Sequence, residues 1–571
     1  MLKLALEGTG FITAYDRTRV RDLGLPAFTE ALDEQTALRV AVSQGLNVVV
    51  SGSLERKGTG YSLAMKATQA VTGNIIAVAE DSVSSKDQVL PIVTKVATAI
   101  RKSLGDDTSD SVKLFAMERL STASLEAVHE YAKGMEALSN NKNDEAVRRF
   151  SKSVELDPDF GLADAGRAIA YRNIGEEENA EKYIKQAISH VDRMTERERY
   201  RTRGIFYFVT GDYVKCVEEY SALTARYASD ASAHNNLGIC YSYLRNLPKT
   251  IEQMRLASEI LPKRLLYRFN LAAFESLAGD FQIAGRDARS TLQMDPSYEK
   301  GYVILAMTQL GQNELKEAAE SYRKLETVSP TGASFAASGF ADLALYEGRF
   351  SEAVRILEKG AAADLADKHA DRAASKFAPL AYSKLLLGQR AEALSAAESA
   401  LENSKDWKIQ LLIGMIFAQT GEMAKARELS VSLASELQAA PQAYAKLVDA
   451  EIALADGKSR DAIRIFADAN KLLDTWIGRF GLGRAYLADN AFAQADSEFD
   501  RCIERRGEAI LLFMDEVPTY GYFPAVYYYQ GRVRQGLKSP GAAKSYLTYL
   551  SIREKAGEDP LISEVRRLAG H

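Results

Sequence analysis

Small residues recur along this chain at a fixed spacing, and that spacing constrains the fold more than any other feature of the sequence. The steps from Gly204 to Ala306 are all equal, and several longer steps downstream indicate insertions. A random alanine falls at a chosen place roughly one time in ten at ordinary usage, so a dozen small residues in register indicate a repeated structural unit. In chain order the series is Gly134, Ala168, Gly204, Gly238, Ala272, Ala306, Ala341, Ala381, Gly414, Ala450, Gly483 and Gly531.

A second series accompanies the first. Twelve residues after each small residue stands another small or medium side chain, at Ala146, Ala180, Cys216, Thr250, Ala284, Ala318, Ala353, Ala393, Ala426, Ala462, Ala495 and Ala543. Proline follows at Pro158, Pro262, Pro296 and Pro330. The pattern predicts two helices per repeat, joined by a turn and closed by proline, which disfavours helix in the preceding residue.

Stacked helical hairpins explain the residue types in both series. One hairpin alone cannot bury its apolar face, but small residues let neighbouring backbones meet when hairpins stack. Larger side chains are then expected to fill the gaps between the helices. We predict this filling role for Phe150, Tyr220, Tyr322, Phe466 and Phe499.

The first complete unit, residues 131–160, reads YAKGMEALSNNKNDEAVRRFSKSVELDPDF. It resembles the tetratricopeptide repeat in the spacing of its small, aromatic and proline residues and in its period. We therefore predict a mainly α fold. Its body is a right-handed tetratricopeptide (TPR) α-solenoid of about twelve helical hairpins over residues 127–557. Residues 558–571 are predicted to form a C-terminal cap or tail.

Residues 1–106 differ from the repeats and predict a small α/β domain. β-prone runs alternate with two helical patterns in the order β-α-β-β-β-α. The strands are expected at 11–14, 47–54, 61–71 and 75–83, and the helices at 34–46 and 86–104. Residues 107–126 are mostly polar and predict a linker.

Part of this domain resembles the small domain in the amino-terminal part of TolB-like and FlgO-like bacterial envelope proteins. The resemblance rests on the stretch LNVVVSGSLERKGTGYSLAMKATQAVTGNIIAVAEDSV. Members of that family usually open with an apolar strand before the first helix, whereas this sequence starts inside or just after that part. We therefore expect the domain to lack its first strand, because the sequence is a fragment or its start is assigned late.

The end of the chain, FPAVYYYQGRVRQGLKSPGAAKSYLTYLSIREKAGEDPL, resembles the carboxy-terminal half of bacterial serine/threonine kinases with tetratricopeptide repeats. In that family a kinase domain and a single membrane span precede these parts. The resemblance implies the sensory portion of a bacterial signalling protein. No kinase residue is carried over, because the VAIK-like, HRD and DFG signatures are absent.

No constellation for catalysis, a cofactor or a metal ion stands out, so we predict that the chain is not an enzyme. The cysteines, Cys216, Cys240 and Cys502, stand far apart without a CxxC pair, which favours small buried side chains over a disulfide framework or a zinc site. The formal net charge of −5 gives no basic field for nucleic acid. The basic run over residues 193–203 also holds glutamates and predicts a salt-bridged helix face.

No stretch reaches 18 consecutive apolar residues, so no membrane span is predicted. The first residues are too short an apolar run for a signal peptide. As written, the chain is expected to be cytoplasmic. If the natural N-terminus carries a membrane span, an extracytoplasmic or envelope location is expected instead.

The leading functional prediction is a non-catalytic scaffold that binds a peptide or protein segment in the groove of the repeats. Asn236 and Asn270 stand exactly one repeat apart at matching places on two first helices, and Tyr243 follows on the first of these. Such asparagines can hold a peptide backbone, and hydrogen bonding between helices is the alternative. A dense aromatic cluster at Tyr520, Tyr522 and Phe523 is a second candidate surface for a partner.

Overall fold

A computed structural model of the protein describes residues 2–6, 12, 14–15, 33–106, 124–139, 142–174, 176–436 and 438–570. The chain divides into two compact units. The first unit comprises Met1–Tyr243 and Glu252–Lys263, and the second comprises Leu244–Ile251 and Arg264–His571.

A small antiparallel sheet of three strands stands at the start of the first unit, with the order β1-β2-β3. Its strands are β1 (Val48–Lys57), β2 (Gly60–Gln69) and β3 (Ile75–Val83). Two helices accompany the sheet, Glu34–Gln44 and Val89–Ser103. The strands and helices predicted between residues 34 and 104 are thus confirmed. In the predicted first strand, Phe11 and Thr13 lie outside the described residues, and Ile12 and Ala14 are not in a strand.

The sheet buries one face against the helix Val89–Ser103. Successive side chains of a strand point to opposite faces, so Met65 and Ala67 of β2 share one face. Both are buried together with Ile92, Val96 and Ile100, which recur at helical spacing. The alternation in β2 and the helical period in the later segment therefore meet in one apolar core.

Twelve helical hairpins follow within the described residues, which confirms the predicted mainly helical repeat architecture. Each consists of a first and a second helix, and we number them in chain order. Hairpins 1–6 are Leu125–Ser139 with Asn143–Leu156, Gly161–Asn173 with Glu177–Ser189, Glu196–Val209 with Tyr213–Arg226, Ala231–Tyr243 with Leu247–Ile260, Leu265–Ala278 with Phe281–Met294, and Glu299–Gly311 with Leu315–Glu326. Hairpins 7–12 are Pro330–Glu347 with Phe350–Ala366, Ala370–Leu386 with Arg390–Asn403, Trp407–Gln419 with Met423–Ala434, Ala439–Ala455 with Ser459–Leu472, Trp476–Ala488 with Phe492–Glu504, and Ala525–Gly536 with Gly541–Arg553.

Several glycines of the first helices lie directly against aromatic rings of the second helices, whereas Gly414 lies against Val448. A Cβ atom added to Gly134 would stand 2.6 Å from the ring of Phe150. The same atom on Gly204 would stand 2.5 Å from the ring of Tyr220. Both rings are buried, as the sequence predicts. A side chain at these places would push the helices apart, so glycine is required for the close approach.

The turns inside hairpins 5 and 7 use glycine in the left-handed backbone conformation. Gly279 has φ +87° and Gly348 has φ +79°, and each ends the first helix of its hairpin. Their N–H groups return to carbonyl groups of the last turn. A residue with a Cβ atom would be strained here, which explains why the sequence punctuates the hairpins with glycine.

Hairpin 12 is preceded by an insertion, residues 505–524, which we call the inserted segment. It contains a one-turn helix, Arg506–Ile510, and a 3-10 turn, Tyr520–Tyr522. It accounts for the longest step in the series of small residues, between Gly483 and Gly531. A further helix, Ile562–Ala569, lies near the end of the chain.

Ala318→Asp tests the register of the repeats. Ala318 is fully buried, so we expect the unpaired charge to destabilise the second unit by about 3 kcal/mol or more. Thermal unfolding followed by circular dichroism measures the effect. The control is Lys316→Asp on the same helix, at an exposed position, which should leave the melting temperature nearly unchanged. Equal melting temperatures for the two variants would show that the register is wrong at this helix.

Candidate functional site

The inserted segment lies against first helices of the second unit, and two lysines hold its acidic residues. The Nζ atom of Lys408, in hairpin 9, lies 2.6 Å from Oδ2 of Asp515. Lys300, in hairpin 6, forms an ion pair with Glu516. Neighbouring acidic residues of the segment thus contact two hairpins that are separated by two others.

The two lysines occupy equivalent places in the repeat. Lys300 stands six residues before Ala306, and Lys408 stands six residues before Gly414, the small packing residues of their helices. Tyr444 holds the same offset in hairpin 10, and its ring lies 6.0 Å from that of Phe513 in the inserted segment. This offset is therefore one place at which first helices contact the segment.

A second contact place lies one residue after the packing residue. Asp342 and Tyr382 hold this offset in hairpins 7 and 8. The two offsets are seven residues apart, about two helical turns, so they fall on one face of the helix. We call the face that carries both offsets the inner face. The periodicity that locates the packing residues therefore also locates the residues that contact the segment.

Asp342 binds the backbone of the inserted segment. Its carboxylate accepts hydrogen bonds from the N–H groups of Tyr520, at 3.1 Å, and Gly521, at 2.7 Å. Burial raises the pKa of Asp342 to about 7, and the two N–H donors only partly oppose that shift. The carboxyl group can therefore change its charge near neutral pH while it holds the segment.

The aromatic rings of the segment pack into the second unit. Tyr520 stacks on Tyr346 with ring centroids 5.0 Å apart, and Tyr522 stacks on Tyr382 at 4.5 Å. Phe523 stacks on Tyr520 at 4.9 Å. Tyr520 and Phe523 are 3 % and 1 % exposed. Tyr520 and Phe523 therefore lie in the interior and Tyr522 is half-buried. A partner surface formed by these three rings stays a prediction.

Arg553 joins the last hairpin to hairpin 7 and to the inserted segment. Its buried guanidinium donates to the carbonyl oxygens of Leu345, Tyr346 and Gly521 at 3.2, 3.4 and 3.0 Å. The carboxylate of Asp559 neutralises the guanidinium charge, with its Oδ2 atom 3.0 Å from Nη1 of Arg553. The guanidinium therefore fixes the segment through a carbonyl group, whereas Asp342 fixes it through N–H groups, and hairpins 7 and 12 are held together.

A cavity of about 30 Å³ lies beside the segment, and Asp342, Lys408, Phe513 and Thr519 are among its lining residues. Pockets for small molecules are typically several hundred Å³. The space is far smaller, because the segment fills the face. The segment therefore leaves little free space at this face of the second unit.

The predicted groove residues of hairpin 4 make contacts within the first unit. The side-chain amide of Asn236 donates to the hydroxyl of Tyr220 at 3.1 Å, which is the bonding between helices that the sequence left as an alternative. The ring of Tyr243 stacks on that of Tyr213 at 4.4 Å. In the second unit, Asn270 is half-buried on the first helix of hairpin 5. Peptide binding by these residues stays a prediction.

The cysteine pairing corrects an expectation. A disulfide joins Cys216, on the second helix of hairpin 3, to Cys240, on the first helix of hairpin 4, with Cα atoms 6.0 Å apart. Cysteine spacing along the sequence gave no sign of it, because stacking of successive hairpins brings the two together. Cys502 is free and buried, and burial raises its pKa. Among the described residues no group of three His, Cys, Asp or Glu side chains could hold a metal ion.

The basic run of residues 193–203 forms ion pairs. Arg197 and Arg201 both contact Asp230, at 2.8 and 2.7 Å. Burial alone would raise the pKa of Asp230, but the two guanidinium groups outweigh it and lower the pKa to about 2. Arg193 pairs with Asp159 at 2.5 Å. These arginines are thus paired with acidic side chains of the first unit.

Comparison with known proteins supports the repeat assignment. Residues 131–193 and 379–444 match the tetratricopeptide repeat family. These two stretches lie in the repeat array, one in each unit. The two matched stretches are therefore similar to tetratricopeptide repeats.

Curated relatives match only parts of the chain. The small glutamine-rich tetratricopeptide repeat-containing protein 2 of Saccharomyces cerevisiae is 29 % identical over 109 residues, which is 19 % of this chain and 31 % of the relative. The antiviral innate immune response effector IFIT1 of Homo sapiens is 22 % identical over 219 residues, 38 % of this chain and 42 % of the relative. The chain thus spans less than half the length of either relative.

Solved structures with partial likeness include the yeast Tom70 and the APC/C hetero-tetramer Cut9-Hcn1. The first is 13 % identical, with a TM-score of 0.33 and coverage of 77 % of this chain and 95 % of Tom70. The second is 15 % identical, with a TM-score of 0.32 and coverage of 81 % of this chain and 99 % of that chain.

Within the described residues, no helix combines the length and apolar character that crossing a membrane requires.

The raised pKa of Asp342 predicts a dependence of stability on pH. Between pH about 4 and 7 the folded carboxyl group keeps a proton that the unfolded chain has released. Stability from this group is therefore greatest at low pH and is lost as pH rises to about 7, by up to about 4 kcal/mol. Asp342→Asn should flatten the change in denaturation midpoint between pH 5 and 8. The control Asp371→Asn, at an exposed position, should show the same change in denaturation midpoint as the wild type. A wild-type slope retained in Asp342→Asn would contradict this assignment.

Charge exchange tests the contact between Lys408 and Asp515. Lys408→Glu should destabilise the second unit by about 3 kcal/mol, because it places two carboxylates together in a site whose side chains are about 20 % exposed. Combining it with Asp515→Lys should restore part of the loss, which a double-mutant cycle measures in urea. The exposed pair Lys425 and Glu398 is the control, and its exchange should change stability by less than about 1 kcal/mol. Additive losses at Lys408 and Asp515 would exclude the contact.

Proposed function

We propose that this protein is a non-catalytic interaction scaffold that binds a protein segment along the inner face of its first helices. The observation that supports the proposal is the inserted segment itself. Ion pairs, hydrogen bonds from its backbone and stacked rings hold it across the inner face of the second unit. A face that binds a polypeptide of the same chain has the chemistry to bind one from a partner.

The contacts divide in the way that peptide recognition requires. Bonds from a backbone N–H to Asp342 do not depend on side-chain identity and provide affinity for the backbone of a bound segment. Lys300 and Lys408 select acidic side chains through their charge, and Tyr382 selects an aromatic ring by stacking. Hairpins 6, 7, 8 and 9 thus each contribute one contact to the segment.

The inner face of the first unit offers a second set of positions. Ile169, Ile205 and Ile239 each follow a packing residue by one, and all three are half-buried. They supply an apolar row at the offset that Asp342 holds in the second unit. Asn236 and Tyr243 lie on the same helix as Ile239, so we propose that this row and those two residues bind a segment of a partner.

Selection of peptides tests the function. Peptides are selected on the immobilised full chain from a random library, and their affinities are measured for Asn236→Ala and Asn270→Ala by fluorescence anisotropy. We expect at least one variant to bind a selected peptide about tenfold more weakly, which corresponds to about 1.4 kcal/mol. Asn236→Ala also removes the hydrogen bond to Tyr220, so its melting temperature is measured beside the affinity, and only a loss of binding by the folded variant is counted.

The control for this selection is Val431→Ala, at a position 70 % exposed on a second helix. It should bind every selected peptide as the wild type does. Failure to select any peptide, or equal affinity for all variants, would contradict binding at the predicted asparagines.

A regulatory role in signalling is the second candidate, because the small domain contacts the repeats within the first unit. Lys86 of the small domain pairs with Glu126 of hairpin 1. Arg197 of hairpin 3 donates to the carbonyl of Ile12 at 3.2 Å. A change in the small domain would thus reach the hairpins directly. The DNA upstream of Met1 tests this role: an open frame for a membrane span and a kinase supports it, and a stop codon with a ribosome site contradicts it.

A further inference from the structure

The inserted segment presents its chemical groups in a definite order. An apolar stretch that includes Phe513 comes first. The acidic pair Asp515 and Glu516 follows, and then the triplet Tyr520, Gly521 and Tyr522. Each of these three parts meets a different kind of site on the inner face of hairpins 6–10.

The apolar part enters an aromatic site. The ring of Phe513 is nearly perpendicular to those of Trp407 and Tyr444, with ring centroids 6.2 and 6.0 Å apart. Arg245 donates to the backbone carbonyl of Leu512 at 3.4 Å. Perpendicular rings at these distances stabilise one another beyond the area they bury. This site therefore selects an aromatic side chain and fixes the direction of the backbone beside it.

The acidic part meets a basic site. Lys408 and Lys300 stand on different hairpins and pair with consecutive carboxylates. Burial opposes the charge on Lys408, but Asp515 and Asp406 outweigh it and keep its pKa above the ordinary range. Loss of the partner carboxylates would leave a buried ammonium group, so the site favours an acidic occupant strongly.

The triplet meets a site that accepts only glycine at its centre. A Cβ atom on Gly521 would stand 2.6 Å from Cβ of Leu345 and 3.1 Å from Oδ1 of Asp342. The rings on either side stack on Tyr346 and Tyr382. The site therefore requires a glycine between two aromatic residues.

From these matches we infer that the inner face of hairpins 6–10 is a docking site for a partner's segment. That segment carries an aromatic residue, then an acidic pair, and four residues after the pair an aromatic-glycine-aromatic triplet. The inserted segment is the occupant supplied by the chain itself. This inference rests on the proposed function and names the partner's chemistry.

Competition between the two occupants follows from tethering. A segment attached to the protein that it binds has an effective concentration of about mM or more. A partner with the same chemistry therefore binds the intact chain weakly. It binds tightly once the contacts of the inserted segment are weakened.

The test uses a fluorescein-labelled peptide with the sequence of residues 509–524, AILLFMDEVPTYGYFP. The full chain with Asp515→Ala and Glu516→Ala should bind it at least tenfold more tightly than the wild type does, by anisotropy. Peptides with lysines in place of the acidic pair, or valine in place of the glycine, should bind at least tenfold more weakly.

Matched variants locate the site. In the weakened chain, Lys408→Ala should abolish binding, whereas Lys425→Ala, exposed on hairpin 9, should not change it. A folded weakened chain that does not bind the peptide overturns the inference. Library peptides that depend on Asn236 would still support the proposed function, so the two failures are distinguishable.

Hydrogen exchange provides the second measurement if the weakened chain does not fold. Excess peptide added to the wild type should accelerate exchange at the amides of Tyr520 and Gly521, because these lose Asp342. Unchanged exchange at saturating peptide overturns the inference. So does a dimer in which two chains exchange their inserted segments, since the occupant is then a second copy.

Discussion

The contact between a backbone and an aromatic ring supports every other feature of this protein. Where Gly134 or Gly204 stands on a first helix, a ring from the second helix lies against the bare backbone. That contact fixes the distance and rotation of the two helices. Rotation then decides which residues point away from the packing, and those residues form the inner face. A site built by recurring offsets exists only because the packing recurs.

The repeats could be predicted because their determinants are local. Gly204 and Cys216 stand twelve residues apart, so a pattern along the chain reveals that their helices pair. The path of the inserted segment could not be predicted, because Asp342 and Tyr520 are 178 residues apart and no period connects them. The aromatic cluster was noticed for its density, but density does not distinguish a buried cluster from an exposed one.

The predicted site did not include the contact residues on the inner face, although their positions within the repeat are visible in the sequence. Lys300 and Lys408 hold the same offset from their packing residues, and so does Tyr444. The asparagines are apparent from residue type because they recur one repeat apart, whereas the lysines are apparent only from their offset to the packing residues. The disulfide was missed for a related reason: stacking of neighbouring hairpins, which sets the distance between Cys216 and Cys240, was not applied to the cysteines.

The bonds from Arg553 to Leu345 and Tyr346 have a consequence for folding. Repeat arrays usually gain stability from neighbours alone, so they can unravel from an end one unit at a time. Here a bond joins residues 208 positions apart. Its formation requires closing a long loop, which is slow, and its presence prevents fraying of the last hairpin. We expect hairpins 7–12 to unfold as one cooperative block, more like a globular domain than like a linear array.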